Sequence, residues 1–267
     1  MFSNFFTLLD PERFGRHFQE RHFFEIDSQT EIVKEKLLSE SFRDSFLLIH
    51  IGNYVHEPYC APPESVNEFW PEDPGEKKEV IRLMSGGENL SDESMRDVLR
   101  DINLRRCRLS SRDVSYLKAR YDAGIKYVDG WLGAFYRFLK KDLKDDFILI
   151  ITSDHGQGFL EHGFFGHGLN LHQELIKVPL IIRAGRISGA VIESPVQLID
   201  IYPTLMDFLG LDVPRGLDGY SFVTGLNGRE RKEITVICEG FPWVAGIQNG
   251  KKLIISCYRL MSLREQL

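Results

Sequence analysis

The chain has 267 residues, 43% hydrophobic and 27% charged, an ordinary globular composition with length for one sizeable core or one domain plus a small appendage. A formal net charge of -6 argues against sequence-independent binding of nucleic acid, which needs a basic surface. The longest apolar runs are strand-sized, far below the roughly 20 residues that span a bilayer, and the start MFSNFFTLLDPERF lacks the charge order of a secretory signal. The expectation is a soluble chain with no membrane span, cytoplasmic by default.

In chain order, residues 1–30 are rich in Phe, Arg and His without a clean period, and read as a segment covering a core. Ile32, Val33, Leu37 and Leu38 fit one helical face. Phe46–Ile51 is a continuous apolar run, consistent with a strand buried on both faces. After it come His56-Glu57-Pro58-Tyr59 and Pro62-Pro63, where the prolines predict an extended loop. Residues 64–113 are charged and predict one or two surface helices with loops. Leu117, Tyr121, Ile125, Val128, Leu132, Phe135 and Leu139 recur every three or four residues, the clearest helix in the chain. Asp145-Asp146 then turns into the strand Phe147–Thr152, the helix-then-strand order of an α/β sheet.

Leu171–Ile176 predicts a short helix and Val178–Arg183 the next strand. Gln197–Gly210 predicts a helix, with Asp200 capping its first turn and Gly210 as its stop. Ile234–Glu239, Trp243–Gln248 and Lys252–Cys257 predict three strands, the last two joined by Asn249-Gly250, a strong hairpin signal. Cysteines stand at 60, 107, 238 and 257 without a C-x-x-C pair, so neither a zinc ribbon nor a thioredoxin-type motif is encoded and free thiols are expected.

The chemistry concentrates in FILIITSDHGQGFLEHGFFGHG, residues 147–168. Asp154 and His155 follow the apolar strand directly. In open α/β sheets ligands gather at strand C-terminal ends, and a carboxylate beside an imidazole suits a divalent cation of intermediate hardness. The bland alternative is a turn-capping Asp beside a surface His, and the strand before and the histidines after weigh against it. His162 and His167 lie in a glycine-rich loop, which can bring imidazoles close to a tetrahedral oxyanion; a solvated loop with incidental histidines is the alternative. His56 follows a different strand and is placed to donate a proton to a leaving group, against the alternative of a structural loop histidine. His50, inside the apolar strand, reads as a hydrogen-bonded core residue. Cys60-Ala61-Pro62 is not read as a nucleophile loop, because Pro63-Glu64 supplies neither a hydroxyl nor an arginine.

Taken in order, TSDHG, EHG, FGHG and ELIKVPLII, with FLLIH and HEPYCAPP before them and QLIDIYPTLMDFLGLDVPRGLDGYSF after, resemble the sulfatase family of the alkaline phosphatase superfamily, over residues 45–255. The resemblance implies an α/β fold, a mostly parallel sheet sandwiched by helices, with residues 1–210 as core and residues 211–267 as a small C-terminal antiparallel subdomain. It implies Asp154 and His155 as metal ligands, and His56, His162 and His167 as substrate-binding residues, with His56 and His167 catalytic. The implied cofactor is a divalent metal: Ca²⁺ by the resemblance, with Mn²⁺ or Zn²⁺ also suited to an Asp-His pair. The implied substrate is a sulfate ester. His167 stands where many sulfatases carry a lysine, and a histidine there also resembles phosphoethanolamine transferases, which leaves a phosphate ester open.

Members of the family also carry an Asp-Asp pair and a C-x-P-S-R or S-x-P-S-R segment, whose Cys or Ser becomes a formylglycine nucleophile, ahead of the strand that corresponds to FLLIH. Neither occurs there in this sequence, so no nucleophile is assigned and the chain reads as the latter part of the fold. In a complete enzyme the formylglycine hydrate would attack sulfur and His56 would assist departure of the alcohol. Three readings follow: a sulfatase-like hydrolase incomplete as this chain; a phosphodiesterase, phosphonate hydrolase or phosphotransferase of the same superfamily; or a non-catalytic domain that binds an anion or a partner, including a missing N-terminal half.

Overall fold

The computed structural model describes residues 2–3, 22–23, 30–39, 49–52, 54–71, 92–168, 170–185, 187, 189–227, 234–240 and 242–256. The chain forms two compact units, Met1–Lys144 and Asp145–Leu267. Most of the Phe-rich first 30 residues, and Phe46, Leu47 and Leu48 of the first predicted strand, lie outside the described residues.

The first unit contains three two-residue strands, β1 (Phe2–Ser3), β2 (His22–Phe23) and β3 (Ile49–His50), paired in parallel in the order β2-β1-β3. Helix α1 (Thr30–Leu38) buries Val33, while Ile32 and Leu38 stay exposed, so only part of the predicted face is used. Helix α2 (Pro63–Phe69) begins where the prolines predicted extended loop. Pro63 sits in the first turn, where a missing N–H costs nothing and the fixed φ is already helical. Helix α3 (Asp92–Asn103) fulfils the surface-helix expectation, and residues 72–91 lie outside the described set.

The dominant element is α4, Ser111–Asp142, 32 residues long and extending the predicted helix at both ends. Ser110 accepts from the Asp113 N–H and the Asp113 carboxylate accepts from the Ser110 N–H, satisfying two otherwise orphaned donors. Lys140 and Lys141 occupy the last turn, where positive charge suits the helix dipole. Helix α4 packs against α2 through a buried cluster of Ala61, Val66 and Ala123. It also carries α1: the Trp131 indole N–H donates to Thr30 Oγ1 at 2.9 Å, and the Lys34 ammonium lies over the Phe138 ring.

The second unit begins with β4, Ile148–Thr152, which pairs antiparallel with β7, Leu180–Ala184. Between them lie β5 (Gly158–Phe159), β6 (Phe165–Gly166) and α5 (Gln173–Ile176). Arg183 fixes the start of β4, pairing with the Asp145 carboxylate and lying 4.3 Å from the Phe147 ring centroid. Thr152 Oγ1 donates to the Pro179 carbonyl at 2.8 Å, fixing the other end.

A short 3-10 turn, Leu198–Asp200, leads into α6, Ile201–Leu209, which stops at Gly210 in the left-handed conformation, φ 68°, as predicted. Asp200 is 5% exposed; its carboxylate accepts the N–H groups of Gln197 and Tyr220, so it caps this turn and also pins a distant loop. The C-terminal strands β8 (Val236–Gly240), β9 (Trp243–Gln248) and β10 (Lys251–Ser256) form the predicted antiparallel sheet. Asn249 (φ 50°) and Gly250 (φ 72°) are both left-handed, as a tight two-residue hairpin turn demands. Among the described residues no helix is long and apolar enough to cross a membrane.

Candidate functional site

In the second unit, β4 ends at Thr152 and the chain folds back at once. The Ser153 hydroxyl donates to the His155 carbonyl at 2.7 Å, and Asp154 Oδ1 accepts the His155 N–H at 3.0 Å. The turn continues only because residue 156 is glycine. A Cβ there would lie 2.0 Å from the Glu174 carbonyl oxygen, while the Gly156 N–H donates to the Leu175 carbonyl at 2.8 Å. Helix α5 therefore backs the turn that presents Asp154 and His155, and this is the structural task of the glycine in the SDHG sequence.

His155 Nδ1 lies 2.8 Å from the Gly156 carbonyl. A carbonyl only accepts, so Nδ1 carries the proton and the neutral ring keeps its lone pair at Nε2. That Nε2 is 3.7 Å from Asp154 Oδ2, and the Asp154 side chain is 57% exposed. Two atoms at that spacing would both be within reach of one cation with ordinary ligand bonds of about 2.0–2.6 Å. The pair thus fits a divalent cation as two ligands of its shell. A hard cation takes six to eight oxygens, so most of the shell has to come from other groups.

The His167 ring stacks on His155, 4.1 Å between centroids and 19° from parallel. His167 stands between Gly166 (φ 86°) and Gly168 (φ 83°), two left-handed positions that glycine adopts without strain. Its Nδ1 is 3.3 Å from Gln157 Oε1. The hairpin is anchored from below by Phe159 and Phe165, both buried, in edge contact at 5.4 Å.

His162, at the hairpin tip, is turned to other partners. Its Nδ1 donates to Glu174 Oε1 at 2.7 Å, and its ring lies on that of His172, 3.8 Å between centroids and 3° from parallel. Burial, then the charge of His162, lowers the His172 pKa from its ordinary value. At Glu174 burial pushes upward, but the hydrogen bond from His162 and the neighbouring histidine charges outweigh it, holding the carboxyl low.

His56 belongs to the first unit. Its loop lies against α4 because Gly124 leaves room: a Cβ there would be 2.0 Å from the Tyr54 carbonyl oxygen. Arg120 donates to the Tyr59 carbonyl through both Nε and Nη2, clamping the loop from the same helix. His56 Nδ1 lies 2.8 Å from the Glu57 carbonyl and 3.4 Å from Glu57 Oε2, and Glu57 is 3% exposed.

Of the residues singled out from sequence, Asp154, His155 and His167 come together, His162 faces Glu174, and His56 is fixed within its own unit. The His50 side chain lies outside the described residues. Sequence reasoning missed Glu57, Gln157, His172 and Glu174. Glu57 and Gln157 were legible as polar neighbours of His56 and of the SDHG sequence, whereas the approach of His172 and Glu174 to His162 depends on the fold of the intervening loop.

The sulfatase family model matches residues 26–211. The chain is 31% identical to arylsulfatase K of Mus musculus over 155 residues, 57% of this chain and 28% of that protein. It is 32% identical over 119 residues to the multifunctional alkaline phosphatase superfamily protein PehA of Trinickia caryophylli, 43% of this chain and 23% of that one. The chain therefore spans less than a third of the length of these relatives. Among solved structures, the phosphonate monoester hydrolase of Silicibacter pomeroyi matches with a TM-score of 0.52 at 16% identity, covering 91% of this chain and 60% of that one. A 2-O GAG sulfatase matches with a TM-score of 0.52 at 15% identity, covering 88% and 56%. At these identities the structural likeness concerns the fold.

Proposed function

This chain belongs to the sulfatase family, and from that premise we propose that it supplies the cation-binding Asp-His end and the histidines of a metal-dependent sulfate-ester hydrolase site. The observation that carries the reading is the pair formed by Asp154 Oδ2 and His155 Nε2, 3.7 Å apart at the end of β4, with the tautomer of His155 set by the Gly156 carbonyl.

Asp154 and His155 are the residues that would hold the metal, and Ca²⁺, Mn²⁺ or Zn²⁺ suits the donor set. A cation bound there supplies Lewis-acid polarisation of the ester oxygens. Asp154 brings negative charge that draws the cation, and His155 presents one lone pair in a fixed direction. His167, held against His155 and directed by Gln157, is assigned to the oxyanion of the substrate. His56 is assigned to the departing alcohol: its Nδ1–H is held by the Glu57 carbonyl, so Nε2 is the atom that faces the alcohol and, in the imidazolium form, yields its proton. His162 is assigned to the substrate side through the hairpin it shares with His167.

No residue of this sequence is proposed as the nucleophile, because no C-x-P-S-R or S-x-P-S-R segment is present. The chain by itself is therefore proposed to turn over little or no sulfate ester. The test is the purified chain with an aryl sulfate and added divalent metal. Background-level hydrolysis is the expected result, and rapid hydrolysis abolished by Asp154→Ala would overturn the proposal.

A phosphate, phosphodiester or phosphonate ester substrate is the second reading. It is favoured by His167 at the position where many sulfatases have a lysine, and it accords with the phosphonate monoester hydrolase fold match. Comparing aryl sulfate, phosphate monoester and phosphodiester substrates on a longer form that includes a nucleophile segment separates the two.

A further inference from the structure

A second histidine cluster stands on the hairpin that carries His167. The His162 ring lies flat on His172, and its Nδ1 donates to Glu174. Glu174 belongs to α5, whose Leu175 carbonyl accepts the Gly156 N–H. The same four-residue helix thus holds the hairpin tip on one side and the turn after Asp154 and His155 on the other. The further charged groups facing the cluster are Lys252 on β10, whose ammonium donates to the Leu171 carbonyl and acts on both His172 and Glu174, and Cys238 on β8, which acts on Lys252. Glu161, beside His162, is turned back to accept the Phe159 N–H.

We propose that His162, His172 and Glu174 form a pH-gated clamp that holds the hairpin tip, and with it His167, in one position. Two neutral imidazoles stack favourably face to face. One proton on the pair is tolerated, because the Glu174 carboxylate sits on His162. A second proton puts two cations face to face, with Lys252 as a third positive group, and the stack opens.

Burial, then the charge of His162, holds His172 below its ordinary 6.5. The hydrogen bond and charges around Glu174 overcome its burial and hold it below its ordinary 4.5. A histidine kept neutral contributes stability that is complete above pH 6.5 and declines as pH falls below that value. A carboxyl kept ionised contributes stability that is complete above pH 4.5 and is lost as pH falls through its folded value. Both act in one direction: the clamp is shut at neutral pH and opens in acid, whether or not the site turns over substrate.

The test is amide hydrogen exchange on the full chain from about pH 7.5 to about pH 4, corrected for intrinsic rates. The Leu160 and Gly163 amides, bonded within the tip to the Phe164 and Leu160 carbonyls, are compared with amides of the β9–β10 hairpin. Tip protection is expected to fall relative to the hairpin as pH falls through the acid range, in the direction that the lowered His172 and Glu174 pKa values set. His172→Phe keeps a flat ring and removes the second charge, so it is expected to abolish the response between pH 6.5 and pH 4.5 and leave only the Glu174 contribution below that. Tip protection that tracks the hairpin at every pH, or a response between pH 6.5 and pH 4.5 that survives His172→Phe, overturns the clamp. Should the variant not fold, imidazole NMR titration of the unaltered chain decides: His172 titrating below the free-imidazole value supports the clamp, and His172 titrating at that value overturns it.

Discussion

The imidazoles of His155 and His167 lie face to face, 4.1 Å between centroids and 19° from parallel, His155 with its Nδ1 turned to the Gly156 carbonyl and His167 with its Nδ1 turned to Gln157 Oε1. The proposed metal ligand is thus oriented by a residue 12 positions further along the chain. Such outer contacts typically account for about 10–100-fold in metal affinity. His167→Ala is therefore expected to weaken divalent-cation binding by about tenfold, and His167→Phe, which keeps the flat partner, by much less. Calorimetric titration of the two variants against the unaltered chain checks this; equal affinities for both would remove His167 from the orientation of His155.

Gly124 is the position where α4 and the His56 loop touch backbone to backbone. A methyl group there meets the Tyr54 carbonyl at 2.0 Å, and neither partner is a flexible side-chain end. Gly124→Ala is expected to destabilise the fold by about 1–3 kcal/mol despite the better helix propensity of alanine. Chemical denaturation measures it, and a stabilised variant would contradict the packing described.

Asp200 offers a second stability test. Its buried carboxylate accepts two backbone N–H groups, from Gln197 and Tyr220, which Asp200→Ala would leave without an acceptor. The expected cost is on the order of 3 kcal/mol. Asp200→Asn, which keeps one acceptor oxygen, should cost less. Equal midpoints for Asp200→Ala and the unaltered chain would count against a role in pinning the loop before Ser221.

Cysteine reactivity follows burial. Cys60 is exposed, whereas burial raises the Cys238 thiol pKa from its ordinary value, with Lys252 opposing in part. Thiolate is the reactive form, so alkylation of the native chain at about pH 8 should modify Cys60 before Cys238. Peptide mapping of a time course reads the order directly.

The helix α4, the stop at Gly210 and the hairpin at Asn249-Gly250 were legible because each rests on a local rule: 3.6-residue periodicity, a left-handed glycine and a two-residue turn. The Pro62-Pro63 stretch misled because a proline that ends one element can also begin the next; Pro63 enters α2 at the one turn that has no use for its N–H. Asp154, His155 and His167 were visible as residue types beside a strand end, whereas the stacking of His155 on His167 is a non-local contact that only the fold reveals. The pairing of His162 with Glu174 and His172 was not visible, since it depends on α5 returning under the hairpin, a non-local contact. Gly156 illustrates the difference: the sequence marks a sharp turn, and only the structure shows that the Glu174 backbone occupies the space a side chain would need.

The central claim is that Asp154 and His155 form a cation-binding pair. Its most direct test is calorimetric titration of Ca²⁺, Mn²⁺ and Zn²⁺ into the folded chain and into Asp154→Ala. Saturable binding that is weakened at least about tenfold by the substitution is the predicted result. A folded chain that binds none of the three cations, or binds them equally well without the Asp154 carboxylate, would contradict it.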